Sequence, residues 1–561
     1  MRPTNRPVTG LWWVLVEALA LLLAVVSIRA QSAPPSNRPA VTTAHAAAGL
    51  FTHSDNCLAC HNTLTSASGE DVSIGTAWRS TIMANAARDP YFHASVRRET
   101  LDHPSRSREI QDECAACHVP IATRAAHTLG RLASVLVDPA MPVPDAHDPL
   151  ARDGVSCTVC HQIAPDGPGS PVRFNGVFQL GPSRPDGVRE VFGPLAVDTG
   201  RRTIMRSVTG FEQVESPHVR QSELCATCHT LITQALDSAG RVVGSLPEQM
   251  NYQEWRHSAF YVEQRSCQSC HMPRAEGPVR VSSVVGDVRD GLSRHAFVGG
   301  NAFMLRLLNR FRDVLGVTAP SGELEATARL TEQQLRHDTA AVEVSAPLLG
   351  DGQVGFTVQV RNLTGHKFPT GYPARRAWLR VRVLDADLRP LFESGAVTAT
   401  GSIAGADNDA DPRTFEPHYE VIERPEQVQI YESILGDLSS QPTTGLLAAT
   451  QYLKDNRLLP RGFDKPTADA QIGVFGAAAA DGNFVGGGDV VTYRVTLPAG
   501  QSWRRIEVAL LYQPIGYRWA HNLDDYRASE TAAFASYYRA MEASTSTVVA
   551  TATVDRDPTP R

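Results

Sequence analysis

Ten cysteines and five histidines form five copies of one short pattern, Cys-x-x-Cys-His, in the first half of the chain. Two thiols separated by two residues lie on one helical turn, where each can form a thioether with a vinyl group of the same haem. The histidine that follows can bind the iron as its proximal ligand. The five segments are Cys57-Leu-Ala-Cys60-His61, Cys114-Ala-Ala-Cys117-His118, Cys157-Thr-Val-Cys160-His161, Cys225-Ala-Thr-Cys228-His229 and Cys267-Gln-Ser-Cys270-His271.

Other chemistry of paired cysteines explains these segments less well. A thiol redox pair needs no histidine after every second cysteine, and zinc sites draw four ligands from two pairs without a fixed histidine. Disulfide frameworks are typical of short secreted chains, whereas this chain has 561 residues. Because no cysteine is left outside the five motifs, the sequence predicts five covalently bound haem c groups.

Sixth ligands for these irons must come from elsewhere in the chain. The candidates are His218 and His257, which precede the fourth and fifth motifs, His295, which follows the fifth, His366, and Met83. For the haem near Met83, His53 and His93 are alternatives, and each candidate could instead be an ordinary hydrogen-bonding histidine or core methionine. His366 lies in a loop rich in glycine and proline, and we expect it to bind a haem of the N-terminal half or, alternatively, to hydrogen-bond a propionate. The sequence does not say which ligand belongs to which haem.

Several segments around the motifs resemble a known group of multihaem cytochromes c. The group includes the tetrahaem cytochrome of ammonia oxidisers, pentahaem nitrite reductase and hydroxylamine oxidoreductase. The segments that carry the resemblance include Ser54–His61, Trp78–Asp89, Asp153–His161, Ser222–His229 and Pro247–Trp255. Gly365-His-Lys-Phe-Pro-Thr-Gly-Tyr-Pro and Lys454-Asp-Asn-Arg-Leu-Leu-Pro resemble cytochromes that have a non-haem C-terminal domain.

The chain also departs from these relatives in ways that bear on activity. Relatives can supply a distal histidine from a Trp-x-x-Ser-x-His-Ala segment, and here Met83 occupies the histidine position. Pentahaem nitrite reductase binds its catalytic haem through a lysine in place of the motif histidine, and this chain has no Cys-x-x-Cys-Lys. No segment identifies the tyrosine crosslink of hydroxylamine oxidoreductase. The resemblance therefore implies a haem protein without implying either enzymatic activity.

The first residues have the order of an export signal. Basic residues Arg2 and Arg6 precede an apolar stretch, and small residues follow it. We expect an exported protein of the periplasm or outer cell surface, cleaved between Gln31 and Pro34, with an uncleaved membrane anchor at this segment as the alternative. The formal net charge of −6 does not favour nucleic-acid binding.

The remaining pattern predicts the elements that must position these residues. The predicted fold is a mainly α, loop-rich pentahaem domain followed by an all-β, sandwich-like domain with a terminal helix. The strands of the second domain are predicted because apolar residues such as Val354, Phe356 and Val358 alternate with polar ones. The expected segments are a signal peptide over 1–32, a flexible lead-in over 33–50, the pentahaem domain over 51–300, a helical connector over 301–340, the β domain over 341–545 and a tail over 546–561.

The favoured function is electron transfer through closely spaced haems. A haem with two protein ligands has no open position for a substrate, so it exchanges electrons only. Its partners would be other redox proteins acting as donor and acceptor, without nucleic acid. The alternative is a multihaem oxidoreductase in which one open haem acts on a small nitrogen or sulfur compound.

Overall fold

The computed structural model describes residues 43–137, 145–165, 173–350 and 352–556, and the predicted signal segment lies outside them. Residues Thr43–Arg561 form one compact unit, so the haem motifs and the β-rich half pack together. In the described part of the chain, no helix is both long and apolar enough to cross a bilayer.

Short helices and loops make up the part of the chain that carries the five motifs. Three small two-stranded sheets lie among them, pairing Arg189–Gly193 with Phe211–Glu215, Leu231–Leu236 with Val242–Gln249, and Val279–Arg280 with Val288–Arg289. The α-helices of this part are Thr43–Leu50, Asp55–Leu58, Ile74–Arg79, Pro90–Asp102, Ser107–His118, Pro120–Thr128, Cys157–Cys160, Thr199–Thr209, Ser222–Ala226, Asn251–Arg256, Ala259–Val262 and Cys267–His271.

Three helices follow the motifs, namely Ala302–Arg310, Arg312–Leu315 and Ser321–Asp338. In the first of them, Phe303, Leu307 and Leu308 recur at helical spacing and are at most 5% exposed. They pack with Phe534 and Tyr538 of the late helix Ser529–Arg539 into one hydrophobic cluster. These helices therefore join the haem region to the end of the chain.

Two five-stranded sheets form the β-rich half. One has the order Pro390–Ser394, Arg376–Leu384, Arg505–Gln513 and Thr547–Asp555, with Ile430–Tyr431 also pairing with the second of these strands. The other has the order Val421–Ile422, Gly488–Thr496, Gln353–Asn362 and Ala340–Val344, with Leu348–Gly350 also pairing with the third. A three-stranded sheet of Pro442–Thr443, Ser433–Gly436 and Gln451–Asp455 and two short helices, Asp407–Ala410 and Tyr517–His521, complete this half.

Alternation along the central strands builds a single core between the two large sheets. Val354, Phe356 and Val358 of one sheet share a hydrophobic cluster with Leu379 and Val381 of the other, and all five are at most 3% exposed. Side chains alternate between the two faces of a strand, so each sheet turns one apolar face toward the other.

Two segment boundaries differ from those expected. The lead-in was expected to be flexible as far as residue 50, but Thr43–Leu50 is a helix in which Ala47 and Leu50 are buried. The tail was expected to begin at residue 546, but Thr547–Asp555 is a strand paired antiparallel with Arg505–Gln513. Alanine, threonine and glycine fill more than half of each segment, so the periodic signal is weak.

Candidate haem sites

The Cys-x-x-Cys-His motifs have a common local geometry. In the first, third and fourth motifs the backbone N–H of the histidine donates to the backbone carbonyl of the first cysteine at 3.0 Å, which closes one helical turn. The second and fifth motifs lie within the helices Ser107–His118 and Cys267–His271. All ten cysteines are free of disulfides and partly exposed, as thioether attachment to a haem requires.

Thiols of different motifs lie next to one another in space. In three pairs the two thiols are close enough to shift each other's pKa, and the pairs join the first motif to the third, the second to the fourth and the fourth to the fifth. These pairs are Cys57 with Cys157, Cys117 with Cys228, and Cys225 with Cys267. Cys160 of the third motif is also near both cysteines of the fourth. The five motifs therefore form one continuous cluster whose spatial order differs from their order in the sequence.

Three of the motif histidines are oriented by backbone carbonyls. Nδ1 of His61 is 2.7 Å from the carbonyl of Val281, and Nδ1 of His161 is 2.6 Å from that of Phe192. Nδ1 of His271 is likewise 2.5 Å from a carbonyl oxygen. A hydrogen bond of this kind puts the ring proton on Nδ1 and leaves the Nε2 lone pair for a metal.

Two of these rings face a second histidine at a distance suited to a shared iron. The centroids of His161 and His295 are 6.4 Å apart with 23° between the ring planes, and those of His271 and His366 are 6.3 Å apart with 14° between the planes. Imidazole nitrogens bind metals at about 2.0 Å, so one metal between two Nε2 atoms holds the ring centroids roughly 6 Å apart. The residues present therefore fit a haem iron at both places.

The two partner histidines also have the tautomer that iron binding requires. Nδ1 of His295 is 3.1 Å from the carbonyl of Ser293, and Nδ1 of His366 is 2.9 Å from that of Lys367. Removal from solvent lowers the pKa of His295 to about 3 and that of His366 to about 4. Both rings are neutral near pH 7, and neutral imidazole is the form that binds a metal.

The loop that carries His366 is held by an asparagine side chain. Nδ2 of Asn362 donates to the carbonyls of His366 at 2.8 Å and Leu458 at 2.9 Å, while its Oδ1 accepts the N–H of Thr364 at 2.8 Å. Asn362 is 3% exposed, and it ends the strand Gln353–Asn362. The β-rich half thus presents His366 to the fifth motif from a rigid turn.

A buried charge network fastens this loop to the haem region. Nζ of Lys367 donates to Oδ2 of Asp455 at 2.7 Å. The same carboxylate accepts two hydrogen bonds from the Arg457 guanidinium, at 2.9 and 2.7 Å. The Arg457 guanidinium also lies 3.1 Å from Oε1 of Glu254. Oε2 of Glu254 accepts the backbone N–H of Lys367 at 3.1 Å and the Thr370 hydroxyl at 2.5 Å. The network contains two cations and two anions, so its buried charge is balanced.

The scarcity of lysine in the sequence is a signal that could have pointed to this buried network. The chain has 53 lysines and arginines, and only three of them are lysines: Lys367, Lys454 and Lys465. Lys367 and Lys454 are at most 1% exposed, and both form ion pairs. In a chain whose positive charge is almost all arginine, the few lysines therefore indicate buried cations at specific positions.

The other predicted distal ligands are placed differently. Both ring nitrogens of His218 are hydrogen-bonded, Nδ1 to the Ser216 hydroxyl at 2.6 Å and Nε2 to the carbonyl of Ile163 at 2.8 Å. Nε2 of His257 bonds the carbonyl of Asp464 at 3.0 Å. The Met83 carbonyl accepts the N–H of Val155, which ties this residue to the segment that leads into the third motif.

The two alternatives to Met83 also have other partners. Nε2 of His93 is 3.1 Å from the carbonyl of Ala87. His53 is near the carboxylates of Asp55 and Asp153, at 3.3 and 3.5 Å. The structure thus brings His295 and His366 together with motif histidines, and it shows hydrogen-bonding roles for His218, His257, His53 and His93.

A second cluster of titratable groups lies within the β-rich half. Nε2 of His418 is 3.0 Å from Asp481 and 3.9 Å from Asp489, and all three side chains are at most 1% exposed. The spacing would allow a metal ion.

Hydrogen bonds around His418 nevertheless favour a network without a metal. Gln429 and Asn456 both use their side-chain oxygens to accept backbone N–H groups, at 2.9 and 3.0 Å, which fixes how each amide is turned. Their NH₂ groups then donate to Nδ1 of His418 at 2.8 and 3.1 Å. The ring proton must therefore be on Nε2, where it is donated to Asp481, and this leaves no lone pair for a metal.

Comparisons with known proteins give one distant likeness. No family model and no curated protein matches the chain. Among solved structures, the crystal structure of a penta-heme cytochrome c552 from Thermochromatium tepidum is similar with a TM-score of 0.49 and 16% sequence identity, over 91% of this chain and 100% of that chain.

Proposed function

We propose that this chain is an exported pentahaem cytochrome c that transfers electrons between redox partner proteins. The observation that carries the proposal is the closeness of the motifs: three pairs of thiols from different motifs shift each other's pKa, and the backbone N–H groups of Cys157 and Cys267 donate to Ser54 and Ser222, which lie just before the first and fourth motifs. Groups attached to neighbouring thiols must themselves be neighbours. Bound haem supplies a one-electron iron couple, whose potential depends on axial ligands, hydrogen bonds and burial.

The chain's own residues support transfer rather than substrate chemistry at two of the five sites. His295 and His366 each bring a second imidazole to His161 and His271, so a haem iron bound at either place would be held by two protein imidazoles. Carbonyls fix each of the four rings through Nδ1, so these rings would keep their positions when a bound iron changed its charge. A site with two rigid protein ligands reorganises little and has no room for a substrate.

Location and partners belong to the same proposal. An export signal agrees with haem attachment outside the cytoplasm, and we place the protein in the periplasm or on the outer cell surface. The partners are one electron donor and one electron acceptor, both of them redox proteins. Membrane contact, if retained, would involve the N-terminal segment.

Intact mass and electron paramagnetic resonance of the matured protein test the proposal together. We expect five covalent haem additions after acid–acetone treatment, and low-spin ferric signals that include two bis-histidine haems. A correctly matured protein with fewer than five haems would refute the pentahaem assignment. If five haems are present, a high-spin haem whose signal changes when a small nitrogen or sulfur oxyanion binds would instead support the enzyme alternative.

A further inference from the structure

Five exposed residues beside the fifth motif form one surface of arginines and apolar side chains. These residues, which we call the arginine surface, are Arg256, Tyr261, Val262, Arg265 and Arg461. The first four lie in the short segment that leads into the fifth motif, and Val262 is 78% exposed. Arginine and tyrosine are enriched in protein interfaces, and a valine this exposed leaves apolar surface open to contact.

Aromatic rings hold the arginine side chains of this surface in place. The guanidinium carbon of Arg256 lies 5.6 Å from the ring centroid of Tyr261. The guanidinium carbons of Arg265 and Arg461 lie 4.4 and 5.5 Å from the ring centroid of Phe260. A guanidinium within about 6 Å of an aromatic ring is attracted to the face of that ring. The three side chains are therefore ordered before a partner arrives, which lowers the entropic cost of binding one.

The arginine surface keeps a positive charge that its own carboxylates do not neutralise. Glu263 pairs with Arg461 at 2.6 Å, and Asp464 is offset by the lysine that follows it. In the part of the chain that the structure describes, neither Arg256 nor Arg265 forms an ion pair. The formal net charge of the whole chain is −6, so this positive surface is a local feature. It is complementary to a partner with a negative surface.

Two contacts connect the arginine surface with the fifth haem site. A guanidinium nitrogen of Arg265 lies 3.8 Å from Sγ of Cys270. The indole Nε1 of Trp255 donates to the backbone carbonyl of Arg265 at 2.8 Å, which holds the segment that carries this guanidinium. The fifth motif also lies at an end of the cluster of motifs, because the thiol beside Cys267 is that of Cys225 in the fourth motif. An end of the cluster that adjoins the surface is where an electron can enter or leave.

We propose that the arginine surface docks a redox protein whose own surface is acidic, and that electrons pass between this partner and the fifth haem. The inference rests on the proposed function, because it needs a haem on the fifth motif. When the partner is the donor, its reduced centre loses one electron and the ferric haem gains it. A second copy of this chain is a poorer occupant, because a two-fold contact would set the same positive charges against each other.

Stopped-flow reduction of the full, matured protein by reduced plant-type ferredoxin tests the docking site, with ferredoxin as an acidic one-electron donor. At an ionic strength of about 0.01 M, where the Debye length is about 30 Å, we expect Arg256→Gln/Arg265→Gln to react roughly tenfold more slowly than the wild type. At about 1 M, where the Debye length is about 3 Å, the two rate constants should converge. Arg256→Lys/Arg265→Lys keeps both charges and should retain most of the wild-type rate constant.

Arg329→Gln/Arg527→Gln is the matched control, because it removes two exposed arginines outside the arginine surface and changes the net charge equally. Its rate constant at low ionic strength should equal that of the wild type. If Arg256→Gln/Arg265→Gln carries five haems and reacts as fast as this control, the docking site is overturned and the proposed function is left intact. Wild-type protein with fewer than five haems would refute the proposed function itself.

Two further measurements distinguish the other possible occupants of the arginine surface. Cosedimentation with vesicles of anionic phospholipid measures membrane binding, and sedimentation equilibrium measures self-association. We expect neither to depend on Arg256 and Arg265. Vesicle binding or a dimer that is lost in Arg256→Gln/Arg265→Gln, together with an unchanged ferredoxin rate constant, would assign the surface to a membrane or to a second copy and overturn the inference.

Discussion

The imidazole rings of His271 and His366 lie 6.3 Å apart, centroid to centroid, with 14° between their planes. His271 ends the last Cys-x-x-Cys-His motif, whereas His366 belongs to a turn of the β-rich half. An iron bound by both would join the two halves of the chain by one coordination bond on each side. The β-rich half would then contribute a ligand as well as packing.

Replacing His366 with alanine should convert one haem from low spin to high spin. The change removes the imidazole opposite His271 and leaves the covalent attachment through Cys267 and Cys270 intact. Electron paramagnetic resonance of the ferric protein measures the change, and intact mass checks that five haems remain. His337→Ala, an exposed histidine near the end of Ser321–Asp338, is the control. An unchanged low-spin count in His366→Ala would mean that the ring only hydrogen-bonds its surroundings.

His295 and His366 should act on different haems, and a double replacement tests this. Each ring is paired with its own motif histidine, His161 for one and His271 for the other. We therefore expect His295→Ala and His366→Ala each to remove one low-spin signal, and the double variant to remove two. Loss of only one signal in the double variant would show that both histidines serve the same haem.

Predictability from the sequence differed sharply between the two kinds of iron ligand. The sequence predicts the proximal ligands directly, because thioether attachment demands a fixed spacing within five residues. His366 could be proposed as a ligand because glycine, proline and asparagine around it indicate a rigid turn. Its pairing with His271, and that of His295 with His161, depends on contacts between distant segments, which no local pattern records.

Elements of the fold show the same division. The alternation in Gln353–Asn362 predicts a strand, because valine and phenylalanine mark one face clearly. Thr547–Asp555 escaped prediction because threonine and alanine fill most of its positions and blur the contrast between its faces. The ion pair of Lys367 with Asp455 was also hidden, since charged residues are ordinarily assigned to the surface.

Asp455→Asn should destabilise the folded protein strongly. The change leaves Lys367 and Arg457, both at most 8% exposed, without the carboxylate that they share. Breaking a buried ion pair by removing one partner typically costs about 3–5 kcal/mol. Urea denaturation followed by circular dichroism measures the loss.

Asp555→Asn is the matched control for Asp455→Asn. Asp555 pairs with Arg505 at 2.8 Å, but the two side chains are 46% and 34% exposed. Exposed pairs of this kind contribute up to about 1 kcal/mol. Equal losses in the two variants would contradict the structural role assigned to the buried network.

His418 and Asp489 should give the stability of the folded protein opposite dependences on pH. Burial raises the pKa of Asp489 from 3.8 to about 6, so the folded state binds this proton first, and acidification from pH 6 to 4 stabilises it. Burial lowers the pKa of His418 from 6.5 to about 4, so the unfolded chain binds that proton first, and acidification destabilises the folded state. The two contributions oppose each other over nearly the same pH range.

Single replacements should separate these two contributions. Compared with the wild type, His418→Gln should gain stability as the pH falls from 6.5 to 4, because the Asp489 contribution remains alone. Asp489→Asn should lose stability over that range, because the His418 contribution remains alone. Each difference should reach roughly 3 kcal/mol at most, since one pKa unit corresponds to about 1.4 kcal/mol. Thermal unfolding of the three proteins at pH 4.5 and 7 measures the differences, and acid effects at the haem ligands cancel because all three proteins share them. If the two variants had parallel profiles of stability against pH, burial would not shift the pKa values of His418 and Asp489 in opposite directions.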